Sequence, residues 1–267
     1  MWMPLESGDA DFLTGRPMTQ AFIAALLLSF ALGASASAAD IGEARAAYER
    51  GDFTAALRAF RALAGDGGAE AQYNLGLMYA NGQGVAADFA EATRWYRKAA
   101  EQGHPEAQTN LGFLYRAGKG VAKDDGEAVK WYRAAAEARV PLAQYNLGLL
   151  CAQGAGVPQD FKQAAKWYKL AAEQDVAEAH NNLGFLYANG RGVRRDLMRA
   201  HMYYNLAAAR LPPGSERDTA QRNREALEGR MTPAQIEKAQ KMAREWRPRP
   251  SKEPRRRARK GDGAKTE

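Results

Sequence analysis

Residues that usually serve as nucleophiles are scarce in this 267-residue chain. Cys151 is the only cysteine, so a disulfide within the chain is impossible and a disulfide-stapled fold is excluded. Between residues 39 and 246 the only serine is Ser215. The body of the chain therefore has almost no candidate nucleophile for a serine hydrolase, and we expect no catalytic residues and no enzyme activity.

Metal-binding side chains are equally sparse. The three histidines of the chain are His104, His180 and His201, and no two of them stand at the i, i+4 spacing of a helical metal site. With a single cysteine in addition, the sequence predicts neither a metal site nor a bound cofactor.

Long apolar runs are missing apart from one of 12 residues, 21–32, near the start of the chain. A membrane-spanning helix needs about 20 apolar residues. The run is followed by small residues that include Ala36 and Ala38, the A-x-A pattern of a secretory signal peptide. We expect residues 1–38 to be removed after Ala38, which predicts a periplasmic or secreted protein. Residues 1–20 are acidic for such a signal, so translation from Met18, a retained anchor and a buried helix remain alternatives.

Positive charge is concentrated at the carboxyl end. The net charge is +7, and the segment 247–267 alone holds nine bases and three acids, with several prolines. Such a segment cannot bury a core and is predicted to be disordered. It is either a solvated tail or a means of docking on an anionic envelope surface. The body of the chain has little excess charge, and we expect no nucleic-acid partner.

The body of the chain repeats every 36 residues without a gap. Each unit contains a Leu-Gly pair, a Gly-x-Gly-Val sequence, an aspartate and an aromatic pair, which in the first unit are Leu75-Gly76, Gly82-x-Gly84-Val85, Asp88 and Trp95-Tyr96. The four units are Ala69–His104, Pro105–Val140, Pro141–Val176 and Ala177–Pro212. A fixed period of 20–50 residues indicates a solenoid, a propeller or an array.

Each unit has the pattern of two helices. In the first half of the first unit, Ala71, Leu75, Met78 and Tyr79 share one face at helical spacing. In the first three units the aspartate stands three residues before Glu or Gln, the spacing of a capping box. Glycine in mid-helix costs about 1 kcal/mol against alanine. Its presence in every unit therefore predicts close contact between helices, while the loop glycines predict positive φ.

The two ends differ from the repeats. Residues 39–68 form a shorter hairpin pattern, and residues 213–246 contain two helical patterns, Ser215–Glu228 and one that Thr232 and Pro233 open. A hairpin cannot bury its apolar face alone, so units must stack and the outer ones need covers. We interpret both ends as caps.

The sequence Ala69-Glu-Ala-Gln-Tyr-Asn-Leu-Gly-Leu-Met-Tyr-Ala-Asn-Gly-Gln-Gly-Val, followed by Asp88 and Trp95-Tyr-Arg-Lys-Ala-Ala, resembles the Sel-one-like repeat (SLR) family, a longer-looped relative of the tetratricopeptide repeat. The likeness covers residues 69–212 closely and 41–68 more loosely. It implies an all-α, right-handed α-solenoid used as a scaffold or adaptor, and exported relatives that act as periplasmic regulators or envelope-assembly factors. The departures are Cys151, Gly126 and Tyr203, and none of them implies a new activity.

Several columns of equivalent residues have two interpretations. The Trp-Tyr pairs are either core or a ring-stacking groove, and their spacing with Ala92 and Ala99 favours core. Cys151 replaces a first-helix tyrosine and is either a small buried filler or a reactive thiol. The asparagines Asn74, Asn110, Asn146 and Asn182 recur at one helix position although Asn is a poor helix former. They either hydrogen-bond within the array or, as the resemblance implies, hold a peptide backbone.

A candidate binding surface follows from the residues that the core leaves over on each first helix. It combines an amide column with an apolar one, Leu77, Phe113, Leu149 and Phe185, along the expected concave groove. Such a surface suits an extended protein or peptide segment, and Arg116 adds a charge for an acidic residue. The predicted binding residues are Tyr73, Asn74, Asn110, Phe113, Arg116, Tyr145, Asn146 and Asn182.

The sequence thus predicts an exported, non-enzymatic repeat scaffold. Two alternatives remain: a hydrolase of cell-wall-related substrates, which has been proposed for some repeat proteins of this kind, and a structural or stress-induced envelope protein without a dedicated partner.

Overall fold

The computed structural model describes residues 41–249, and all regular structure in that range is helical. The predicted signal peptide and the tail from residue 250 lie outside the described residues. The helices are α1 (41–49), α2 (Phe53–Gly65), α3 (Ala69–Asn81), α4 (Phe89–Glu101), α5 (Pro105–Ala117), α6 (Asp125–Glu137), α7 (Pro141–Gln153), α8 (Phe161–Glu173), α9 (Ala177–Asn189), α10 (Leu197–Arg210), α11 (Ser215–Glu228) and α12 (Pro233–Glu245).

The helices form hairpins that stack in chain order. Within each repeat an A helix (α3, α5, α7 or α9) packs on the B helix that follows it (α4, α6, α8 or α10), and α4, α6 and α8 each pack on the next A helix. The predicted all-α solenoid of 36-residue units is therefore confirmed. In the described range no helix is both long enough and apolar enough to cross a membrane.

The mid-helix glycines mark the contact between the A and B helices of one unit. A Cβ atom on Gly112 would lie 2.9 Å from Cδ1 of Tyr132, and one on Gly76 would lie 2.7 Å from the same atom of Tyr96. Gly148 and Gly184 meet Tyr168 and Tyr204 in the same way. The predicted close approach is confirmed, and its partner in every unit is the buried tyrosine of the aromatic pair.

The second loop glycine makes the contact between neighbouring units. Gly120 has φ +68°, and a Cβ atom there would lie 2.1 Å from the carbonyl oxygen of Phe89, the first residue of the preceding B helix. Gly156 and Gly192 approach Asp125 and Phe161 equally closely. Each A–B loop thus rests on the backbone of the unit before it, at a distance that only glycine permits.

The repeated aspartates cap the B helices, but they do not form the predicted capping boxes. The Asp88 side chain accepts hydrogen bonds from the backbone N–H groups of Ala90 and Glu91. Its own N–H donates to the carbonyl oxygen of Tyr79 at 2.9 Å, so the Glu91 side chain has no donor left to accept from and pairs with Arg94 instead. The capping-box prediction was wrong there because the closing loop uses the N–H group that a capping box requires.

A buried glutamine ties each of the first three A helices to the helix that precedes it. Gln108 Nε2 donates to the carbonyl oxygen of Ala100 at 3.1 Å, and Gln144 donates to that of Ala136 at the same distance. Gln72 bonds Ala64 likewise at 3.3 Å. Each of these carbonyl oxygens also accepts a backbone N–H bond from the turn that ends its helix, so the glutamine supplies a second bond at the helix end.

Caps cover both ends of the array. Helices α1 and α2 pack under α3 with Phe60 and Leu63 buried, while α11 and α12 both pack on α10. The predicted helix Ser215–Glu228 is confirmed, and Thr232 forms a complete capping box with Gln235 at the start of α12. The contacts continue beyond Trp246, since the backbone N–H of Arg249 donates to the carbonyl oxygen of Glu173 at 2.7 Å.

Candidate binding surface on the A helices

The predicted binding residues all lie on A helices, on the side left over by the core. The core leucines Leu75, Leu111 and Leu147 of the same helices are fully buried. The predicted set, by contrast, retains solvent exposure throughout: Tyr73, Asn74, Asn110, Phe113, Arg116, Tyr145, Asn146 and Asn182. The folded chain therefore presents them as one face that follows the A helices along the array.

Two of the asparagines bond to their own helix. Asn74 Nδ2 donates to the carbonyl oxygen of Glu70, and Asn146 Nδ2 donates to that of Leu142, both at 2.9 Å. These bonds explain how a poor helix former is accommodated in mid-helix. They use the amide nitrogen and leave the Asn74 amide oxygen available as an acceptor.

The other two asparagines act on tyrosines of the preceding unit. Burial raises the pKa of Tyr73 and Tyr96, and the amide of Asn110 partly opposes that rise. The amide of Asn182 has the same effect on Tyr145 and Tyr168. A hydrogen bond between units, one of the two interpretations of this column, is present at Asn146, which accepts from Arg116 of the preceding unit. The contact of the asparagines with a peptide stays a prediction.

Arg116 occupies the junction where this tyrosine–asparagine link is broken. Thr109 replaces the A-helix tyrosine there and is buried, with its hydroxyl bonded to the carbonyl oxygen of Pro105. The guanidinium of Arg116 instead reaches Asn146 Oδ1 and Gln153 Oε1, each at 3.4 Å. Burial raises the pKa of nearby Tyr132 to about 12, and the arginine charge opposes this. Within residues 41–249 no carboxylate pairs with Arg116, so its charge remains available to an acidic ligand.

The apolar column is exposed unevenly. Leu77 and Leu149 are half-buried, whereas Phe113 is 50% exposed and Phe185 is 41% exposed. Large apolar side chains with this much exposure are rare elsewhere in the described part of the chain. The two phenylalanines are therefore the strongest apolar features of the predicted groove, and Phe185 extends the surface beyond the predicted residue set.

An acidic cleft closes the carboxyl end of this face. It has a volume of about 200 Å³ and is lined by Tyr145, Glu178, Asn181, Asn182, Leu211, Ser215, Glu216 and Thr219. Burial raises the pKa of Tyr145, and the charges of Glu178 and Glu216 raise it further. Sequence reasoning missed the residues of α11 because only the packing of the cap brings them beside α7 and α9.

The aromatic pairs contribute mainly to the core. Tyr96, Tyr132, Tyr168 and Tyr204 are buried, as predicted. The tryptophans are only half-buried, and lysine side chains cover their rings, with Lys98 Nζ 4.2 Å from the centre of the Trp95 ring. The core interpretation is thus confirmed for the tyrosines and too simple for the tryptophans.

The cysteine and the histidines that could carry chemistry are buried or engaged in contacts with neighbouring side chains. Cys151 is buried, as the filler interpretation expected, and burial raises the pKa of its thiol. His104 is the N-cap of α5 and stacks on Tyr73, with ring centres 4.6 Å apart. His201 lies 2.9 Å from Glu228 Oε1. No group of three potential metal ligands occurs among the described residues.

A family model described as "Sel1 repeat" matches residues 69–104, 105–139, 141–176 and 177–210, which are the four A–B hairpins described above. The matches cover more than half of the chain. The chain belongs to the Sel1 repeat family. Sel1 repeat proteins are generally non-enzymatic scaffolds that mediate protein–protein interaction.

Solved structures support this membership. A Sel1 repeat protein from Oxalobacter formigenes is 31% identical, with a TM-score of 0.59 over 72% of this chain and 86% of that one. A protective antigen of uropathogenic Escherichia coli that displays an SLR fold is 30% identical, with a TM-score of 0.63 over 82% of this chain. The match spans only 55% of that antigen's length. No curated protein matches the chain.

Proposed function

We propose that this Sel1 repeat protein is an exported scaffold that holds an extended segment of a partner protein along the face of its A helices. The observation that carries the proposal is the combination on this face of exposed phenylalanine rings, amide groups and the charge of Arg116. Apolar contacts at Phe113 and Phe185 would bind side chains of the segment, while Asn74 and its equivalents would bond to its backbone.

The proposal includes the compartment. The apolar run 21–32 and the Ala36-Ser37-Ala38 sequence support export to the periplasm or the exterior, in the role of a regulator or an assembly factor of the envelope. The mature protein should begin at Ala39 or within a few residues of it. Mass analysis of the purified protein tests this, and an intact segment 18–38 on a cytoplasmic protein would contradict it.

In-cell photocrosslinking tests the binding face. A photoreactive residue at Phe113 should capture a partner protein that mass spectrometry can identify. The same residue at Lys130, which is exposed on a B helix, serves as the matched control and should not capture it. Equal capture at both positions would contradict the A-helix face, and capture at neither would favour a structural envelope protein without a dedicated partner.

The amide column is tested separately. The double variant Asn110→Ala and Asn146→Ala should abolish partner capture while the helical circular-dichroism signal is retained. Because the Asn110 amide also interacts with the partly buried hydroxyls of Tyr73 and Tyr96, the variant should melt at a somewhat lower temperature, and capture is therefore measured well below that temperature. Capture equal to that of the parent would show that the asparagines are purely structural.

A further inference from the structure

The four repeats fall into two similar blocks of two units. The amide of Asn110 lowers the pKa of tyrosines in the unit before it, and so does the amide of Asn182, whereas at the junction between the blocks Arg116 donates a hydrogen bond to Asn146. Several columns of equivalent residues alternate in the same way, so that the first and third members resemble each other and differ from the second and fourth. In chain order these columns are Tyr73, Thr109, Tyr145 and Asn181; Leu77, Phe113, Leu149 and Phe185; Gln83, Lys119, Ala155 and Arg191; and Phe89, Asp125, Phe161 and Leu197.

This alternation creates the same three-residue arrangement twice. Lys119 Nζ lies 5.1 Å from the centre of the Phe89 ring and 5.9 Å from that of Phe113. Two units later, the Arg191 guanidinium carbon lies 5.2 Å from the centres of both the Phe161 and the Phe185 rings. We call these arrangements the first and the second aromatic–cation site.

Both sites have unused binding capacity. Within residues 41–249, neither Lys119 nor Arg191 pairs with a carboxylate, and both residues are exposed to solvent. The rings of Phe113 and Phe185 are 50% and 41% exposed. An exposed aromatic ring beside an unneutralised cation is complementary to an apolar side chain that is followed by a carboxylate.

We propose that the two aromatic–cation sites bind two acidic–apolar elements of one partner segment, each an aromatic or aliphatic residue adjacent to Asp or Glu. This inference rests on the proposed function and specifies the chemistry of the segment. Two weak sites on a rigid array gain affinity when one chain occupies both, because the second contact becomes intramolecular.

Single-stranded nucleic acid also binds surfaces of aromatic rings and cations. A protein segment fits better here, because Sel1 repeat proteins generally mediate protein–protein interaction and because the unit between the two sites presents the apolar, half-buried Leu149 in the same column.

Titration calorimetry of the purified protein tests the proposal. The probe is a peptide with a central Phe-Glu-Phe-Glu sequence in a Gly-Ser background, and its control has Phe-Lys-Phe-Lys at the centre. We expect two acidic peptides per chain and no binding of the basic one. Two copies of the acidic sequence joined by a Gly-Ser linker should bind about 100-fold more tightly than one copy.

Variants assign the binding to the two sites. Phe113→Ala with Lys119→Gln should reduce the stoichiometry from two to one and remove the gain of the linked peptide, and so should Phe185→Ala with Arg191→Gln. All four substitutions together should abolish binding while the helical signal persists. Unchanged binding by the fourfold variant, absence of binding by the parent, or tighter binding of oligothymidine than of the peptide would each overturn the proposal.

The chain also offers a matched position for a gain of binding. Asp125 of the second unit, with Leu149 and Ala155 of the third, occupies the columns of Phe89, Phe113 and Lys119. Asp125→Phe, Leu149→Phe and Ala155→Lys should therefore create a third site and raise the stoichiometry to three, whereas Ala155→Gln alone should change nothing. If the fourfold variant, with the photoreactive residue moved from Phe113 to Leu149 of the same column, still captures the crosslinked partner in cells, the partner-binding face stands and only its acidic–apolar specificity is wrong.

Discussion

Glycine in the middle of a helix weakens that helix, yet every A helix of this protein contains one. The tyrosine that faces it explains why: the B-helix ring lies against the backbone at Gly76, Gly112, Gly148 and Gly184. The burial of a tyrosine ring contributes more than the roughly 1 kcal/mol that the glycine costs. At this position the sequence requirement comes from tertiary packing and overrides helix propensity.

The first prediction concerns that contact. Gly112→Val should destabilise the protein by at least about 1–3 kcal/mol, the range for overpacking, because the added atoms would overlap the fully buried Tyr132 ring. Ala117→Val, at an exposed position of the same helix, is the control and should cost only the helix propensity of valine. Chemical unfolding of both variants measures the difference, and equal stabilities would contradict the contact.

His180 is the one member of the buried glutamine column that titrates. It is fully buried against Trp246, with ring centres 4.9 Å apart, and lies 3.7 Å from Asp175, which pairs with Arg210. Burial and the Arg210 charge lower its pKa to about 4, against the opposing influence of Asp175. The histidine is therefore neutral in the folded protein at pH 7.

The second prediction is that His180 makes stability depend on pH. Between its ordinary pKa of 6.5 and the folded value of about 4, the unfolded chain binds more protons than the folded one. Stability should thus fall as the pH is lowered from about 7 to 4, by up to about 3 kcal/mol from this group. His180→Gln, the residue of the other units, should flatten the profile, as urea unfolding at several pH values would show. Parallel profiles of parent and variant would contradict this origin of the pH dependence.

At the scale of the element, the A–B loop has two glycines with different functions. Gly118 ends α5 in the left-handed conformation, with φ +65°, and a Cβ atom there would come no closer than 3.3 Å to any neighbouring atom, the nearest being Cβ of Lys123. Gly120 has nearly the same φ, but it also touches the backbone of the preceding unit at Phe89. The first glycine thus serves its own hairpin, whereas the second joins two hairpins.

The third prediction separates these functions. Gly118→Ala should cost about 1–2 kcal/mol, the penalty of left-handed backbone for a residue with a Cβ atom. Gly120→Ala incurs the same penalty and in addition a clash at 2.1 Å with a carbonyl oxygen, so it should be clearly more destabilising. Thermal melts of the pair provide the comparison. If both variants lost the same stability, the loop would not carry the contact between units.

The regular elements could be predicted from the sequence because they depend on local patterns. The helical period locates α3 to α10, the sequence Thr232-Pro233 locates α12, and the loop glycines have the positive φ that their spacing indicated. The predicted capping boxes failed because the Asp88 N–H bonds to Tyr79, nine residues earlier, which a local pattern does not contain.

The candidate site was only partly accessible to such reasoning. The sequence indicates which A-helix residues remain outside the core, since that follows from helical geometry. It does not indicate that Arg116 donates to Asn146 of the next unit, that Lys119 lies beside two rings, or that α11 brings Glu216 to the end of the face. Each of these contacts joins residues of different helices and depends on how the units stack.

At the scale of the whole molecule, the tail begins later along the chain than the sequence predicts. The sequence places the tail at residues 247–267, and a deletion from Arg247 is expected to leave the melting temperature unchanged. In the structure, however, Arg249 bonds to the backbone of Glu173, and its guanidinium lies 3.8 Å from the carboxylate of that residue. Arg249, the third residue of the predicted tail, therefore contacts α8.

The fourth prediction takes this contact into account. Deletion of residues 250–267 removes seven bases and three acids. It should leave the melting temperature unchanged and weaken binding to anionic vesicles in a salt-sensitive manner. Vesicle co-sedimentation at two salt concentrations measures the effect, with a deletion from Arg247 as the comparison that also removes the contact with Glu173. A large loss of helicity after deletion of residues 250–267 would show that the tail belongs to the core.

Each A–B loop contacts the helix that precedes its own unit, so these contacts between units all run from a later unit to an earlier one. When a unit leaves the ribosome, the helix that its loop contacts has already been synthesised. The earlier unit does not depend on the later one for the contact of its own loop. Assembly from the amino-terminal cap toward α12 is therefore the order in which every loop meets a finished surface, and a chain that is cut after any B helix keeps the loop contacts of all units before the cut.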